Sequence, residues 1–205
     1  MCPNPFATLM EGREQGERRA AVPGLRFAEV VQHDDEGYIL TWLSGSVSIQ
    51  SAPARVATMM AGAERGTYFM PEVGDEVVVG FEDGDIDKPV ILGALWSADT
   101  DAPPSQADTS ASNNIRTIVS RSGHQLTFDD SPGAEKVLLQ SKSEHQVLLD
   151  DAPGAAKIAI ETAGGLKIVM DDVARSITIE LDSANKIEIS SAGVTVKGTQ
   201  INLNP

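Results

Sequence analysis

The residues of this 205-residue chain whose types and spacing suit chemistry are two histidines, three acidic pairs and a serine–histidine cluster. His124 and His145 stand 21 residues apart in like settings, Gly-His-Gln and Glu-His-Gln. Imidazoles at equivalent positions of a repeat can converge on a metal when several copies of a chain share an axis. Both open their segments where exposure is expected, and the third histidine, His33, lies far away in sequence, so no metal site is assigned. Asp129-Asp130, Asp150-Asp151 and Asp171-Asp172 offer the oxygen ligands that calcium prefers. The first two pairs run into Ser-Pro-Gly and Ala-Pro-Gly, where an aspartate only has to accept a nearby backbone amide, and a solvated turn is the favoured reading. Ser120, Ser122 and His124 with a neighbouring aspartate could be drawn as a catalytic set, but no nucleophile-elbow motif supports it. The chain is therefore read as having no catalytic residue and no cofactor.

What must position these residues is a repeat. From Gly123 to Pro205 the sequence returns on itself every 21 residues, as GHQLTFDDSPGAEKVLLQSKS, then EHQVLLDDAPGAAKIAIETAG. A third copy, GLKIVMDDVARSITIELDSA, and a decayed fourth, NKIEISSAGVTVKGTQINLNP, follow. Leu126, Val147, Ile168 and Ile189 keep the step. So do Val137, Ile158 and Ile179, and so do Leu139, Ile160 and Leu181. Apolar residues alternate within each copy, as in Leu126/Phe128 and Val147/Leu149, which is the period of a strand with one buried face. Asp, Pro and Gly between the runs supply turns. A fixed period of this length marks a repeat architecture. Each copy is strand, turn, strand, turn, and its apolar stripe has nothing in the same chain to cover it. Copies wrapped about an axis would bury the stripe and protect strand edges. The tail is predicted to be an intertwined β-prism, and a triangular prism makes it a homotrimer. Its core is then Leu126, Phe128, Val137, Leu139, Val147, Leu149, Ile158, Ile160, Ile168, Ile179, Leu181 and Ile189.

Composition narrows the function. The chain has 16 Lys+Arg against 30 Asp+Glu, a net charge of −14. The repeat holds seven basic and twelve acidic residues, leaving nine and eighteen to residues 1–122, so both halves are acidic. That argues against nucleic acid, whose binding rests on phosphate neutralisation. Aromatics make up only 4%, a poor stock for stacking on sugars or bases. No apolar run is long enough to cross a membrane as a helix, and the N-terminus lacks a secretory core. The single cysteine, Cys2, excludes an internal disulfide and fits synthesis in the cytoplasm.

Residues 1–24 read as an arm or docking peptide, with a helix over 6–15 as an alternative. Residues 25–97 hold short β-like runs at 25–31, 38–43, 46–49, 55–60, 76–81 and 89–96, split by turn signals such as Asp34-Asp35-Glu36-Gly37. Five or six short strands in this length suggest a small barrel, for which an OB-fold is the common size match. Trp42 and Trp96 read as barrel or collar packing. Residues 98–122, rich in Ala, Asp, Ser and Pro, read as a linker too short for a catalytic domain, and 123–205 as the repeat spike.

The segment FMPEVGDEVVVGF at 69–81, then GDIDKPVILGALW at 84–96, resembles the OB-domain of the VgrG and phage baseplate-assembly-V spike proteins. SGHQLTFDDSPG at 122–133 is similar to the start of that family's β-helix. Together the matches cover about residues 25–205, in the family's order. The resemblance implies an all-β chain, an OB-fold collar followed by a trimeric needle, acting as the central spike of a contractile injection machine. It implies a phage tail or tail-like particle that drives the needle into a target cell envelope. The few residues ahead of the barrel imply a hub carried on a separate polypeptide. The short linker leaves no room for the lysozyme that some phage spikes carry. The chain also lacks the His-x-His iron site with which some spikes close their tip. The repeat loses its acidic pair at Ala192-Gly193 and runs on to Pro205. Thr199, Gln200, Ile201, Asn202, Leu203, Asn204 and Pro205 are therefore expected to dock a separate PAAR-repeat tip protein through strand-edge pairing. An extracellular adhesin or carbohydrate-binding β-helix is the alternative, opposed by the absence of a signal peptide and of aromatic ladders.

Overall fold

The fold comes from a computed structural model that describes residues 21–43, 49–97, 102–105, 107–108 and 110–202. Nearly all its regular structure is strand, and the chain divides into two compact units, Met1–Ala102 and Pro103–Pro205. The first 20 residues, with the helix considered over 6–15, lie outside the described residues.

In the first unit, β1 (Arg26–Asp34), β2 (Gly37–Trp42), β6 (Glu76–Phe81), β7 (Pro89–Leu95) and the short β3 (Arg55–Val56) form one sheet in the order β2-β1-β6-β7-β3. Its two ends meet. The Tyr38 amide donates to the Ala54 carbonyl at 3.1 Å, and the Ala54 amide returns the bond to Tyr38 at 2.8 Å. Ala54 immediately precedes β3, so these bonds close a five-stranded barrel and remove its edges. Alternation decides the core: Ala28 and Val30, then Tyr38, Leu40 and Trp42, then Val77 and Val79 point inward and are buried with Ile91. Trp42 is 4% exposed and lies 5.6 Å from the ring of Phe81, while Trp96 is 66% exposed.

The run at 55–60 is only partly strand. Two residues join the barrel, and the chain then leaves it as a hairpin, β4 (Ala61–Gly62) and β5 (Arg65–Gly66). The hairpin turns at Glu64, whose φ is +54°. Thr58 and Thr67 tie its base through their hydroxyls at 2.6 Å. The apolar pair Met59-Met60 suggested a longer strand, yet both are exposed. Of the run at 46–49, residues 46–48 lie outside the described residues, and Gln50 makes an isolated bridge to Thr41.

The second unit is one nine-stranded antiparallel meander in which every strand pairs with the next in sequence. Its strands are β8 (Ile115–Val119), β9 (Gln125–Asp129), β10 (Lys136–Gln140), β11 (Gln146–Asp150), β12 (Lys157–Glu161), β13 (Lys167–Asp171), β14 (Ser176–Asp182), β15 (Asn185–Ser190) and β16 (Gly193–Lys197). The sheet begins at Ile115, inside the stretch 98–122 read as linker. β8 is the second strand of an earlier half-copy, since Ile118 stands 21 residues before Leu139 and pairs with Leu126 of β9. The apolar signal there is diluted by Arg116 and Thr117.

The turns keep an aspartate bond in all three copies. Asp129 Oδ1 accepts the Ser131 amide at 3.0 Å, Asp150 Oδ1 the Ala152 amide at 3.1 Å, and Asp171 Oδ1 the Ala174 amide at 2.6 Å. On the other edge, Ser120, Ser141 and Thr162 hydroxyls accept the amides of His124, His145 and Leu166 at 3.0 to 3.1 Å. The third copy departs from the period: Asp171 pairs directly with Ser176, whereas Asp150 pairs with Lys157, so its turn is two residues shorter. The sheet recovers at an irregularity between Glu180 and Asp182.

Candidate assembly interface

Cross-strand register turns the stripe into two continuous columns on one face. One runs Ile118, Leu126, Leu139, Val147, Ile160, Ile168, Ile179, Ile187, Val196. The other runs Arg116, Phe128, Val137, Leu149, Ile158, Met170, Ile177, Ile189, Val194. Apart from Arg116, each position is apolar. Among the described residues of this unit nothing packs over them: Leu139 is 54% exposed and Ile168 40%. Aliphatic cross-strand pairs stabilise the sheet itself, but most of the area gained by covering this face is still open to water.

Eleven of the twelve residues read as core from the sequence therefore lie in these columns. Leu181 does not: the shortened turn moves Ile179 into the column that Leu181 was expected to occupy and leaves Leu181 at the irregularity. Six column members were missed, namely Ile118, Met170, Ile177, Ile187, Val194 and Val196. Met170 was within reach, standing 21 residues after Leu149 and 42 after Phe128.

The opposite face is polar at its margins. Lys136 pairs with Asp129 at 3.3 Å, Lys157 with Asp150 at 3.5 Å, and Lys167 with Glu161 at 3.1 Å. Gln125 donates to Gln140, continuing the polar margin. Along its centre only Ala159 is fully buried among the described residues of this unit. Hydrogen bonds from Ser131, helped by the Lys136 ammonium, hold the Asp129 carboxyl below the usual aspartate range. Lys186 does the same for Glu188, and Glu188 in turn raises Lys186. Hydrogen bonds from Ser110 and Asn114 lower Asp108, and those from Asn185 and Ala184 lower Asp182. A carboxyl lowered on folding adds stability above its unfolded value and loses it as pH falls through the lowered one. The unfolding midpoint of the protein is thus expected to vary little from pH 7 to about 5 and to fall below about pH 4. A midpoint that rises on acidification below pH 4 would contradict these pairings.

The residues singled out for chemistry are used structurally. The Lys142 amide donates to His124 Nδ1 at 3.1 Å, and the Ala163 amide donates to His145 Nδ1 at 3.2 Å. Each histidine ties its turn to the next turn along the same edge. His124 therefore spends Nδ1 on a backbone amide while Ser120 accepts from the His124 backbone, which is not the geometry of a base beside its nucleophile. The first aspartate of each pair forms the turn bond described above. Among the described residues no group of three or more His, Cys, Asp or Glu is placed to hold a metal ion.

At the C-terminal end, the Thr199 amide donates to Asn185 Oδ1 at 3.2 Å, and Gln200 Nε2 donates to Asn202 Oδ1 at 3.1 Å. Ile201 is 51% exposed. Leu203, Asn204 and Pro205 lie outside the described residues.

Residues 38–96, from the start of β2 to just past β7, match the type VI secretion system and phage-baseplate injector OB domain. This chain is thus similar to the VgrG and baseplate-V spike proteins over its barrel. The spike protein VgrG3 of Vibrio cholerae is 35% identical over 100 residues, 48% of this chain and 10% of that protein. VgrG1b of Pseudomonas aeruginosa is 27% identical over 92 residues, 42% of this chain and 12% of its own length. The actin cross-linking toxin VgrG1 of Vibrio cholerae is 33% identical over 93 residues, 42% of this chain and 8% of its own. The chain thus spans about a tenth of the length of these VgrG relatives. The match covers most of the barrel, and the nine-stranded antiparallel sheet is compatible with a β-prism.

Proposed function

We propose that this chain is the central spike, the puncturing tip, of a contractile injection machine such as a phage tail or tail-like particle. The observation that carries the reading is the uncovered double column of apolar side chains on a sheet that follows an injector OB domain. Three copies wrapped with that face inward would bury it and give a needle whose work is mechanical: contraction supplies force, and hydrogen-bonded strands resist buckling. Light scattering of the purified protein should return three times 21.7 kDa. A folded monomer at micromolar concentration would overturn the trimer.

The barrel is the collar that seats on the hub protein. Leu25, Phe27 and Leu92 are half exposed on its outside, and side-chain-free Gly80 lets Leu92 and Leu25 close in over β6. The needle meets the target envelope on firing, and the protein, made in the cytoplasm, works within the particle. It needs no cofactor, binds no nucleic acid and has no hydrolytic activity of its own, so pure protein should clear cell-wall preparations no faster than buffer.

At the far end, β16 has all five residues exposed and forms the sheet's last edge, supporting addition of a partner strand from a PAAR-repeat tip protein. Removing residues 199–205 should leave the trimer mass unchanged and abolish binding of the PAAR protein. Undiminished binding would move the cap elsewhere.

A further inference from the structure

The two lateral edges of the repeat sheet carry opposite charge at the same level. The turn between β10 and β11 holds Lys142 on one edge, and the turn between β11 and β12 holds Asp151 on the other. One strand, β11, joins them. The arrangement is periodic: Arg121 stands 21 residues before Lys142, and Asp130 stands 21 before Asp151. The third copy keeps the acid as Asp172 but has Ala163 in the basic position.

Within the chain Lys142 and Asp151 have no visible task. The turn bond is made by the first aspartate of each pair, Asp150, and not by Asp151. Among the described residues neither the Lys142 ammonium nor the Asp151 carboxylate has a hydrogen-bond or ion-pair partner, although Asp130 pairs with Arg116 at 2.5 Å. Nor can Lys142 and Asp151 meet in one chain, since a five-residue strand at about 3.3 Å per residue holds their turns roughly 16 Å apart.

We propose that Asp151 of one copy pairs with Lys142 of the next, in a parallel, in-register, head-to-tail ring of copies of this chain. This rests on the trimer proposed above and specifies its subunit contact. A two-fold arrangement would bring like edges together, whereas a cyclic heterologous one brings each basic edge against an acidic edge and closes. It also gives the second aspartate of the repeated pair a role that the turn does not supply. Glu144 and Arg175, on the basic and acidic edges respectively, run against the pattern, so the contact is a set of pairs and not a uniform field.

The test is a charge-swap cycle on the full chain: Lys142→Glu, Asp151→Lys and the double variant. Each is followed by trimer mass and by the lifetime of the trimer in dilute denaturant. Sites this far apart in one chain have independent effects, so non-additivity reports contact between chains. Each single change should shorten the lifetime, and the double should recover about tenfold relative to the product of the singles, from three exposed pairs acting together. Most of that recovery should vanish in 1 M salt. Effects that simply multiply in a protein of trimer mass would overturn the pairing and leave the trimer standing. A parent protein of monomer mass would overturn both.

Discussion

Ile168→Asp is expected to abolish the proposed trimer, while Val169→Asp, one residue further along the same strand, is expected to leave the trimer mass unchanged. The two substitutions place the same charge on opposite faces of β13. Ile168 sits mid-column between Ile160 and Ile179, with 40% of its surface open in the single chain. The sheet itself therefore tolerates a carboxylate there. Three copies facing inward do not, because three unpaired carboxylates would meet near one axis with no cation in either column within reach. Burying an unpaired charge costs several kcal/mol even after relaxation, and here the cost is incurred three times and compounded by mutual repulsion. Val169 pairs with Ala159 and Thr178 on the outward face, where Lys157 and Lys167 lie close by, so its replacement weakens one sheet locally. Light scattering of both variants decides the matter. Normal trimers of Ile168→Asp would mean that the columns do not face inward.

How far this arrangement could be read from the sequence depended on whether a signal was local or needed register. The step of 21 is local, and it placed Leu126, Val147, Ile168 and Ile189 on one face without any structure. Parity survives a change of two residues, so even the shortened turn after Asp171 kept Ile179 on that face. The column is another matter: which residue stands opposite Ile168 depends on turn length, and the two missing residues put Ile179 there in place of Leu181. β8 was hidden for a different reason. Its flanks, Ser110 to Asn114 and Ser120 to Gly123, are turn residues, and Arg116 interrupts its alternation, so composition spoke for a linker. The histidines were the least legible. Their acceptor role needs His124 to sit beside the amide of Lys142, 18 residues on, and nothing short of the folded register brings the two together. In the barrel, apolar Met59 and Met60 mimicked a strand, while hydroxyl contacts between Thr58 and Thr67 and a positive φ at Glu64 turned the chain away.

Gly37→Ala is expected to open the barrel's closure at a cost of about 3 kcal/mol, whereas Gly74→Ala should cost about 1 kcal/mol. Both glycines have backbone conformations that side chains rarely adopt, with φ of +140° and +100°. The strain common to the two is the smaller part. They differ in what an added methyl would meet. At Gly74 no atom lies within 4 Å, but at Gly37 the Cβ would stand 2.7 Å from the Ala54 carbonyl oxygen. That oxygen accepts the Tyr38 amide, and the bond is half of the pair that joins β2 to the residue preceding β3. Relieving the contact by moving Ala54 outward breaks both bonds and strips cover from a residue with no exposed surface. Two backbone hydrogen bonds are then lost, each a loss of about 1 kcal/mol or more on top of the backbone strain. Urea unfolding, followed through Trp42 fluorescence in the barrel core, measures the difference. Equal midpoints for the two variants would mean that Ala54 can retreat without cost and that the barrel is not closed through it.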